Sequence, residues 1–234
     1  MVTRRIRFLG LVLLLSLASF YAGTYLVDRQ PSPPAHPITG RQMAGIATDA
    51  NWLDRAARVE EEQPERALDL IGIAPGMVVA DVGAGSGYMT LRLARRVGPA
   101  GKVYANDVQP AMLRIVQTKV REQKLSNVEI ALGAETDVRL PENAVDLALL
   151  VDVYHELWHP QDMLRSLRRS LKPNGQLVLV EYRKEDPNIP IAYTHRMGVV
   201  EARTEVEAEG FAFERLIPGL PRQHIIVFRK PADR

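Results

Sequence analysis

The body of the chain alternates short apolar runs with segments in which apolar residues recur at helical spacing. The apolar runs predict five buried strands, at residues 77–82, 102–107, 128–132, 145–151 and 176–182. The helical segments lie between and after them, at residues 88–97, 110–120, 159–171 and 201–209. Such alternation is typical of a largely parallel sheet covered by helices. The sequence therefore predicts an α/β, Rossmann-like, doubly wound fold.

Two features flank this core pattern. Apolar runs at 211–217 and 224–228 are joined by a short Pro- and Gly-containing segment, so they are close enough to pair antiparallel. They complete a seven-stranded sheet with an antiparallel last strand. Residues 48–71 form a helical preface, split near Pro64, which we expect to lie across the carboxyl edge of the sheet.

The N-terminus carries a different signal. Residues 8–27 contain no charge and follow three arginines, Arg4, Arg5 and Arg7. Twenty residues in a helix span a hydrocarbon core of about 30 Å. The segment also fits a cleaved secretory signal, with Ser16–Ala18 as a small-x-small cleavage option, although the apolar run continues past Ala18 and favours an anchor. In both cases the arginines predict a body that faces the exterior or periplasm.

We therefore expect three parts in the chain. Residues 1–30 are a signal anchor or signal peptide, residues 31–47 are a Pro-rich linker, and residues 48–234 form one domain. The linker begins with PSPPAHP, whose four prolines predict an extended, semi-rigid spacer.

Charge and composition narrow the function classes. The formal net charge is +2, but residues 1–30 hold four arginines and one aspartate, so the remainder carries −1. The body thus lacks the basic surface that a nucleic-acid partner requires. The chain has no cysteine, which excludes disulfides and thiolate metal sites. The histidines show no metal-ligand spacing, and we expect no metal site.

Candidate chemistry lies where the first two strands end. The first strand leads into Asp81-Val82-Gly83-Ala84-Gly85-Ser86-Gly87, just before a helix. Glycines let the backbone turn tightly and approach a ligand, which helix N-terminal amides then face. Asp107 ends the second strand, where a carboxylate can accept hydrogen bonds from both ribose hydroxyls. The pair predicts an adenosine-containing cofactor, and Tyr88, where a dinucleotide fingerprint has Gly or Ala, disfavours NAD.

Two longer stretches resemble a known family. VADVGAGSGYMTLRLARRVGPAGKVYANDVQPAML and LPENAVDLALLVDVYHELWHPQDMLRSLRRSLKPNGQLVLVEY are similar to class I S-adenosylmethionine-dependent methyltransferases, in the small-molecule, ubiquinone-biosynthesis-type (type 11) branch. The resemblance covers roughly residues 60–229. It implies a methyltransferase that uses S-adenosylmethionine and a small-molecule acceptor. Since no cysteine is present, acceptors that need a protein thiol, such as arsenic, are implausible.

The resemblance also assigns cofactor residues. The loop of Gly83, Ala84, Gly85, Ser86 and Gly87 would hold the methionine portion, oriented by Asp81. Asp107 would bind the ribose, and Val108 would pack on the adenine. Many relatives have an acid after the third strand for the adenine amine, but Ala134 stands there. Either Glu135 replaces that acid or backbone and apolar contacts read the adenine. Asp152 is also assigned to the cofactor site.

Residues 152–156 would border the methyl-transfer site. His155 is a candidate general base, the alternative being a loop histidine that orders the following helix. Tyr154 and Glu156 are equally plausible acceptor contacts. A degenerate S-adenosylmethionine- or nucleotide-binding module, tethered to the membrane, is the competing function, because the cofactor is made in the cytosol whereas the leader predicts export.

Overall fold

The computed structural model describes residues 32–232 of the 234-residue chain, so the predicted leader at residues 1–30 lies outside the described part. The helices of the described part are α1 (Ala50–Leu53), α2 (Arg58–Glu62), α3 (Pro64–Ile71), α4 (Tyr88–Val97), α5 (Pro110–Glu122), α6 (Pro160–Ser170) and α7 (Val199–Glu207). Two 3₁₀ turns span Tyr154–Glu156 and Tyr193–His195. Between residues 32 and 232, no helix combines the length and the apolar character needed to cross a membrane.

One mixed sheet forms the centre of the domain. Its strands are β1 (Val78–Val82), β2 (Lys102–Asp107), β3 (Val128–Leu132), β4 (Val145–Val151), β5 (Leu171–Arg183), β6 (Arg196–Met197), β7 (Ala212–Ile217) and β8 (Gln223–Arg229). The order is β3-β2-β1-β4-β5-β8-β7, and the short β6 pairs with β5. β1 to β5 pair in parallel, whereas β8 runs antiparallel to both of its neighbours. The predicted Rossmann-like sheet with an antiparallel last strand is confirmed, but it has eight strands where seven were predicted, because the short β6 was not expected.

The helix before β5 ends earlier than the sequence predicts, and the strand begins earlier. A helix over 159–171 and a strand over 176–182 were expected, but α6 ends at Ser170 and Leu171 already pairs with Val145. The register then shifts, and pairing resumes between Gln176 and Leu147. Pro173 lies in this irregular stretch, where its missing N–H breaks no regular ladder. α7 likewise starts two residues before its predicted position.

The strand alternation divides the core between the two faces of the sheet. One apolar cluster includes Ala80, Val82, Ala148, Leu150, Leu177 and Leu179, and the opposite cluster includes Val79, Leu147, Leu149, Val178 and Val180. Both faces are buried, so apolar residues predominate on both faces of these strands. Because β1 pairs in parallel with both β2 and β4, the carboxyl ends of these three strands lie at the same edge of the sheet. At β1 the strand order reverses, which is where α/β sheets bind ligands.

The second half of the predicted linker packs on the domain. We call residues 36–44 the strap. Its His36, Arg41 and Met43 are all buried, and the main chain of Ala44 donates to the carbonyl of His155 at 3.0 Å. The structure thus differs from the expected extended spacer. The reason is a long-range contact: Glu205, a buried carboxylate on α7, pairs with Arg41, and the proline pattern gives no sign of this partner.

We expect Arg41→Ala to lower the free energy of unfolding by about 3–5 kcal/mol, because it leaves the Glu205 carboxylate buried with reduced compensation. Arg41 donates to Glu205 from both Nε, at 2.9 Å, and Nη2, at 3.0 Å. Urea unfolding of the full chain measures the loss. Arg165→Ala is the matched control, since Arg165 pairs with Glu209 at an exposed site and its removal should cost less than about 1 kcal/mol. If both variants lose the same free energy of unfolding, the contact between the strap and α7 does not stabilise the fold.

Candidate functional site

The loop between β1 and α4 requires glycine for two separate reasons. Gly83 has φ +73°, and a Cβ atom there would lie 2.5 and 2.7 Å from the two γ carbons of Val153. The Gly83 and Ala84 amides both donate to the Asn106 carbonyl, at 2.8 and 2.9 Å. Gly87, with φ +84°, caps the start of α4. The loop is thus held against β2 and turned so that α4 begins at the carboxyl edge of the sheet.

Asp107 joins this loop to the end of β2. One carboxylate oxygen accepts the Gly85 N–H at 2.8 Å, and the other accepts the Gln109 N–H at 2.8 Å. Burial raises the pKa of Asp107, and these backbone donors act in the opposite direction. Each oxygen keeps lone-pair capacity beyond its one bond. The carboxylate is therefore fixed in orientation and able to accept further hydrogen bonds, as binding of ribose hydroxyls requires.

Asp81 lies at the same edge, on β1. It is buried and accepts a hydrogen bond from the Thr90 hydroxyl at 2.5 Å. Burial, together with the nearby Asp107 charge, raises the pKa of Asp81 to about 6, although the Thr90 hydroxyl and Arg58 oppose the shift. The ionised form is costly here without a positively charged partner. A positively charged group bound beside Asp81 would therefore stabilise its ionised form.

We expect Asp81→Asn to stabilise the ligand-free protein at pH 7.5 by up to about 3 kcal/mol, while weakening S-adenosylmethionine binding at least tenfold. The folded pKa of about 6 lies above the ordinary value of 3.8, so the folded state binds the proton more tightly. Stability from this group is therefore present at low pH and is lost as pH rises from about 4 through about 6. Asparagine has no such loss, so the gain should shrink as pH falls.

Urea unfolding at several pH values measures this effect, and equilibrium dialysis measures binding. Asp186→Asn is the control: its pKa is lowered by the Asn188 backbone N–H, so its neutralisation removes a favourable interaction. Its stability contribution is present above the unfolded pKa and is lost as pH falls. A destabilised Asp81→Asn protein at pH 7.5 would contradict this account.

The helical preface contributes residues that the sequence did not single out. Arg58 and Glu62 on α2 are both buried, and Arg58 Nε donates to Glu62 at 2.7 Å. The Tyr182 hydroxyl at the end of β5 donates to Glu62 at 2.9 Å. The Arg58 guanidinium also lies 4.1 Å from the centre of the Tyr88 ring. The preface is thus hydrogen-bonded to the carboxyl edge of the sheet, as predicted. In the sequence, only the i, i+4 spacing of opposite charges pointed to the Arg58–Glu62 pair.

Asp152 follows β4 in an unusual conformation. Its φ is +53°, and Gln223 Nε2 donates to one of its carboxylate oxygens at 2.7 Å. The other oxygen is buried and has no hydrogen-bond partner among the described residues. Burial, with the charges of Glu62 and Glu181, raises the pKa of Asp152 well above its usual range. Strained backbone and an orphaned acceptor together are typical of a binding site.

His155 is buried and paired on both ring nitrogens. Its Nδ1 lies 2.6 Å from a carboxylate oxygen of Glu181, which also accepts the Tyr154 N–H at 2.8 Å through its other oxygen. Its Nε2 lies 3.0 Å from Nδ1 of His195. Burial acts to lower the pKa of His155, but the Glu181 carboxylate outweighs it and the pKa is raised. Burial raises the pKa of the adjacent Glu156 to about 7, and His155 opposes that shift.

The remaining predicted residues divide between edge and surface. The Ser86 hydroxyl is buried and donates to Asp54 at 2.8 Å, and Val108 is half-buried beside Asp107. Ala134 forms a short bridge with Asp137. Glu135 is exposed, 3.6 Å from His159. The structure therefore brings the loop and both aspartates together but leaves Glu135 at the surface.

The sequence did not predict the position of His195 next to His155. The sequence offers no metal-ligand spacing for it, yet the turn at Tyr193–His195 brings it to His155, 40 residues earlier in the chain. His155, Glu156 and His195 form a cluster whose ligand atoms all lie within 4.8 Å of one another. His155 and His195 thus converge although the sequence shows no metal-ligand spacing between them. No local pattern could have revealed this contact, because a long loop creates it.

The electrostatics of the edge favour a cationic ligand. The pKa values of four carboxyl groups, Asp81, Asp107, Asp152 and Glu156, are all raised because burial removes water from the charged form. Arg58 of α2 acts to lower the pKa of Asp81 and of Asp152, but it offsets the effect of burial only in part. A ligand carrying positive charge and polar hydroxyls would lower the cost of ionising these groups.

Comparison with known proteins agrees with this geometry. The methyltransferase domain family matches residues 79–175, which run from β1 to the register shift in the first part of β5. A solved S-adenosylmethionine-dependent methyltransferase from Aquifex aeolicus is 30% identical, covers 79% of this chain and 100% of its own, and superposes with a TM-score of 0.74. This chain therefore belongs to the S-adenosylmethionine-dependent methyltransferases. The prediction of that family and of its cofactor is confirmed.

More specific relatives match in part. The ubiquinone/menaquinone biosynthesis C-methyltransferase UbiE of Ectopseudomonas mendocina is 30% identical over 50% of this chain and 46% of its own length. The chain thus spans about half the length of the curated relatives it matches. The [4+2]-cyclase SpnF is 19% identical, covers 86% of this chain and 90% of its own, and has a TM-score of 0.62. That likeness concerns the fold alone.

The charges and hydroxyl groups of S-adenosylmethionine match the residues at this edge. The molecule carries a sulfonium and an ammonium group, which complement the buried carboxyls. Its ribose hydroxyls complement the oriented carboxylate of Asp107. The missing Cβ atoms of Gly83 and Gly85 let Val153 and Leu53 pack directly on the loop, which fixes its backbone at this edge. The orphaned oxygen of Asp152 can accept a hydrogen bond from an ammonium group.

Proposed function

We propose that this protein transfers a methyl group from S-adenosylmethionine to a small-molecule acceptor at the carboxyl edge of β1, β2 and β4. The observation that carries the proposal is the bond between the Gly85 amide and the Asp107 carboxylate, which couples the glycine loop to the ribose-binding acid. This arrangement favours an active cofactor site over a degenerate module. When bound, the cofactor supplies an electrophilic methyl group on sulfur.

The protein's own residues position the reactants. Asp81 and the loop amides orient the methionine portion, and Asp107 fixes the ribose. Asp152 and the following residues separate the cofactor from the acceptor side. His155, oriented by Glu181, is the proposed proton acceptor, because a histidine held by a carboxylate keeps one tautomer and gains basicity. Positioning supplies most of the rate in an in-line displacement of this kind.

The acceptor class is proposed from two observations. The partial relative's name specifies C-methylation in quinone biosynthesis, and residues 8–27 fit a membrane anchor or a signal. A tether would hold the domain at a bilayer, where an apolar quinone-type ring is dissolved. We therefore propose a hydroxylated, lipid-soluble ring as the acceptor class.

The domain's location follows from the same leader. The arginines before residue 8 predict a body on the exterior or periplasmic side, so the cofactor would have to reach that compartment. A reporter active only in the periplasm, fused to the C-terminus of the full chain, tests this orientation. An active periplasmic reporter is the expected result, and activity of a cytoplasmic reporter alone would place the domain inside.

Transfer of label tests the reaction itself. The full chain is incubated with methyl-labelled S-adenosylmethionine and a membrane lipid extract, and the organic phase is counted. With the cofactor held below its dissociation constant for the unaltered protein, we expect label in that phase with the unaltered protein and far less with Asp107→Asn. Equal label with both proteins would overturn the proposal.

A further inference from the structure

We propose that His155, Glu156 and His195 form a binding site for a divalent transition-metal ion of the zinc type, beside the cofactor edge. Two imidazoles and one carboxylate are a donor set that zinc accepts, with at least one position left open for water or a substrate. This cluster combines a 3₁₀ turn after β4 with the turn that precedes β6.

The distances suit an ion without rearrangement. His155 Nε2 lies 3.0 Å from His195 Nδ1 and 3.9 Å from Glu156 Oε1, and the last two atoms are 3.8 Å apart. A point equidistant from three atoms at these separations lies about 2.1 Å from each, which is the usual zinc–nitrogen and zinc–oxygen bond length. The two imidazole nitrogens are within hydrogen-bond distance of each other, and the ion would replace the proton of that hydrogen bond.

The surroundings have the features of a metal site. Glu181 lies 2.6 Å from the other ring nitrogen of His155, an outer carboxylate that fixes the ring and leaves Nε2 for the ion. Glu156 is further held by the Ala47 N–H at 3.2 Å. The His155 side chain is 2% exposed, whereas that of His195 is 37% exposed, so an ion can enter from the His195 side.

The site also adjoins the cofactor edge. Gln109, two residues after Asp107, donates to the Ala47 carbonyl at 2.9 Å, and the Ala47 amide bonds Glu156. What the ion does rests on the proposed function. With the ion bound, Nε2 of His155 is a metal ligand and cannot accept the proton, so the ion replaces His155 in that role: an acceptor hydroxyl that coordinates the ion loses its proton to solvent more readily. The resulting oxyanion then supplies the electron pair for the new bond to the methyl carbon, as the carbon–sulfur bond breaks and its pair remains on sulfur.

Zinc titration of the full chain, prepared without a polyhistidine tag and with chelator removed, tests the site. Calorimetry should show one Zn²⁺ per chain. His195→Ala, at a partly exposed residue, should weaken binding at least 100-fold, and Glu156→Gln at least tenfold. His159→Ala is the matched control, because this exposed histidine lies outside the cluster. The Zn²⁺ affinity of this variant should equal that of the unaltered protein. Thermal unfolding confirms that each variant folds.

A second readout separates this proposal from the methyltransferase proposal. Co²⁺ added to the unaltered protein should give a visible absorption spectrum that His195→Ala lacks. S-adenosylmethionine binding is measured on the same samples. Cofactor binding without any Zn²⁺ site would overturn the metal proposal alone, and Zn²⁺ binding without cofactor binding would overturn the function alone. Zn²⁺ binding that survives His195→Ala unchanged also refutes the site.

Discussion

Gly83→Ala should destabilise the protein by about 3 kcal/mol or more and reduce S-adenosylmethionine affinity at least 100-fold. The new Cβ would meet Val153 at 2.5 and 2.7 Å, and the residue would also have to keep φ +73°. Relief of that overlap moves either the loop or the segment after β4, and both border the cofactor. Urea unfolding and equilibrium dialysis measure the two effects.

Two controls separate steric overlap from backbone strain. Gly72, at the end of α3, has φ +88° with open space around its Cβ position, so Gly72→Ala carries the strain alone. We expect it to cost about 1–2 kcal/mol and to leave cofactor affinity unchanged. Adding Val153→Ala to Gly83→Ala should restore the part of the lost stability that exceeds the cost of the backbone strain. If Gly72→Ala and Gly83→Ala behave alike, contact with Val153 is not the cause.

Asp107→Asn should leave the protein folded but reduce cofactor affinity about 100-fold. The two carboxylate oxygens accept the Gly85 and Gln109 amides, whereas asparagine offers one acceptor oxygen and would set its NH₂ group against the other amide. Hydrogen bonds to charged groups contribute about 1.5–3 kcal/mol each. The oriented acceptor for the ribose hydroxyls is lost at the same time. Equilibrium dialysis with labelled S-adenosylmethionine measures the change in cofactor affinity.

Asp146→Asn is the matched control. Asp146 also accepts a backbone N–H, that of Val78 at 2.8 Å, but it lies at the start of β4, on the opposite edge of the sheet. Its replacement should affect stability and not cofactor affinity. Comparable affinity losses in both variants would show that the carboxyl edge of β1 and β2 is not where the cofactor binds.

The fold could be predicted from sequence because its strands are buried on both faces. In the run at residues 145–151 every position except Asp146 is apolar, and the boundaries of this strand and of 102–107 match the structure. The limit of such patterns shows at Leu171–Gly175. Proline and glycine there favour a break, but pairing of Leu171 with Val145 and the shifted register extend the strand. Tertiary pairing thus overrode local preference.

The candidate site was predictable where its residues are local in sequence. The glycine loop and Asp107 occupy strand ends, and the parallel sheet aligns those ends automatically. His195 and Glu62 were not predictable, because a loop and a preface helix bring them in from opposite ends of the chain. The strap was misjudged for a related reason: its prolines favour an extended spacer, whereas the Arg41–Glu205 pair, 164 residues apart, fixes it to α7.

Direct titration of the full chain with S-adenosylmethionine tests the central claim, that the edge formed by β1, β2 and β4 binds this cofactor. Calorimetry should show one ligand per chain with a dissociation constant in the micromolar range, and S-adenosylhomocysteine, which lacks the methyl group and the positive charge on sulfur, should compete for the same site. Absence of binding at millimolar ligand would contradict the account.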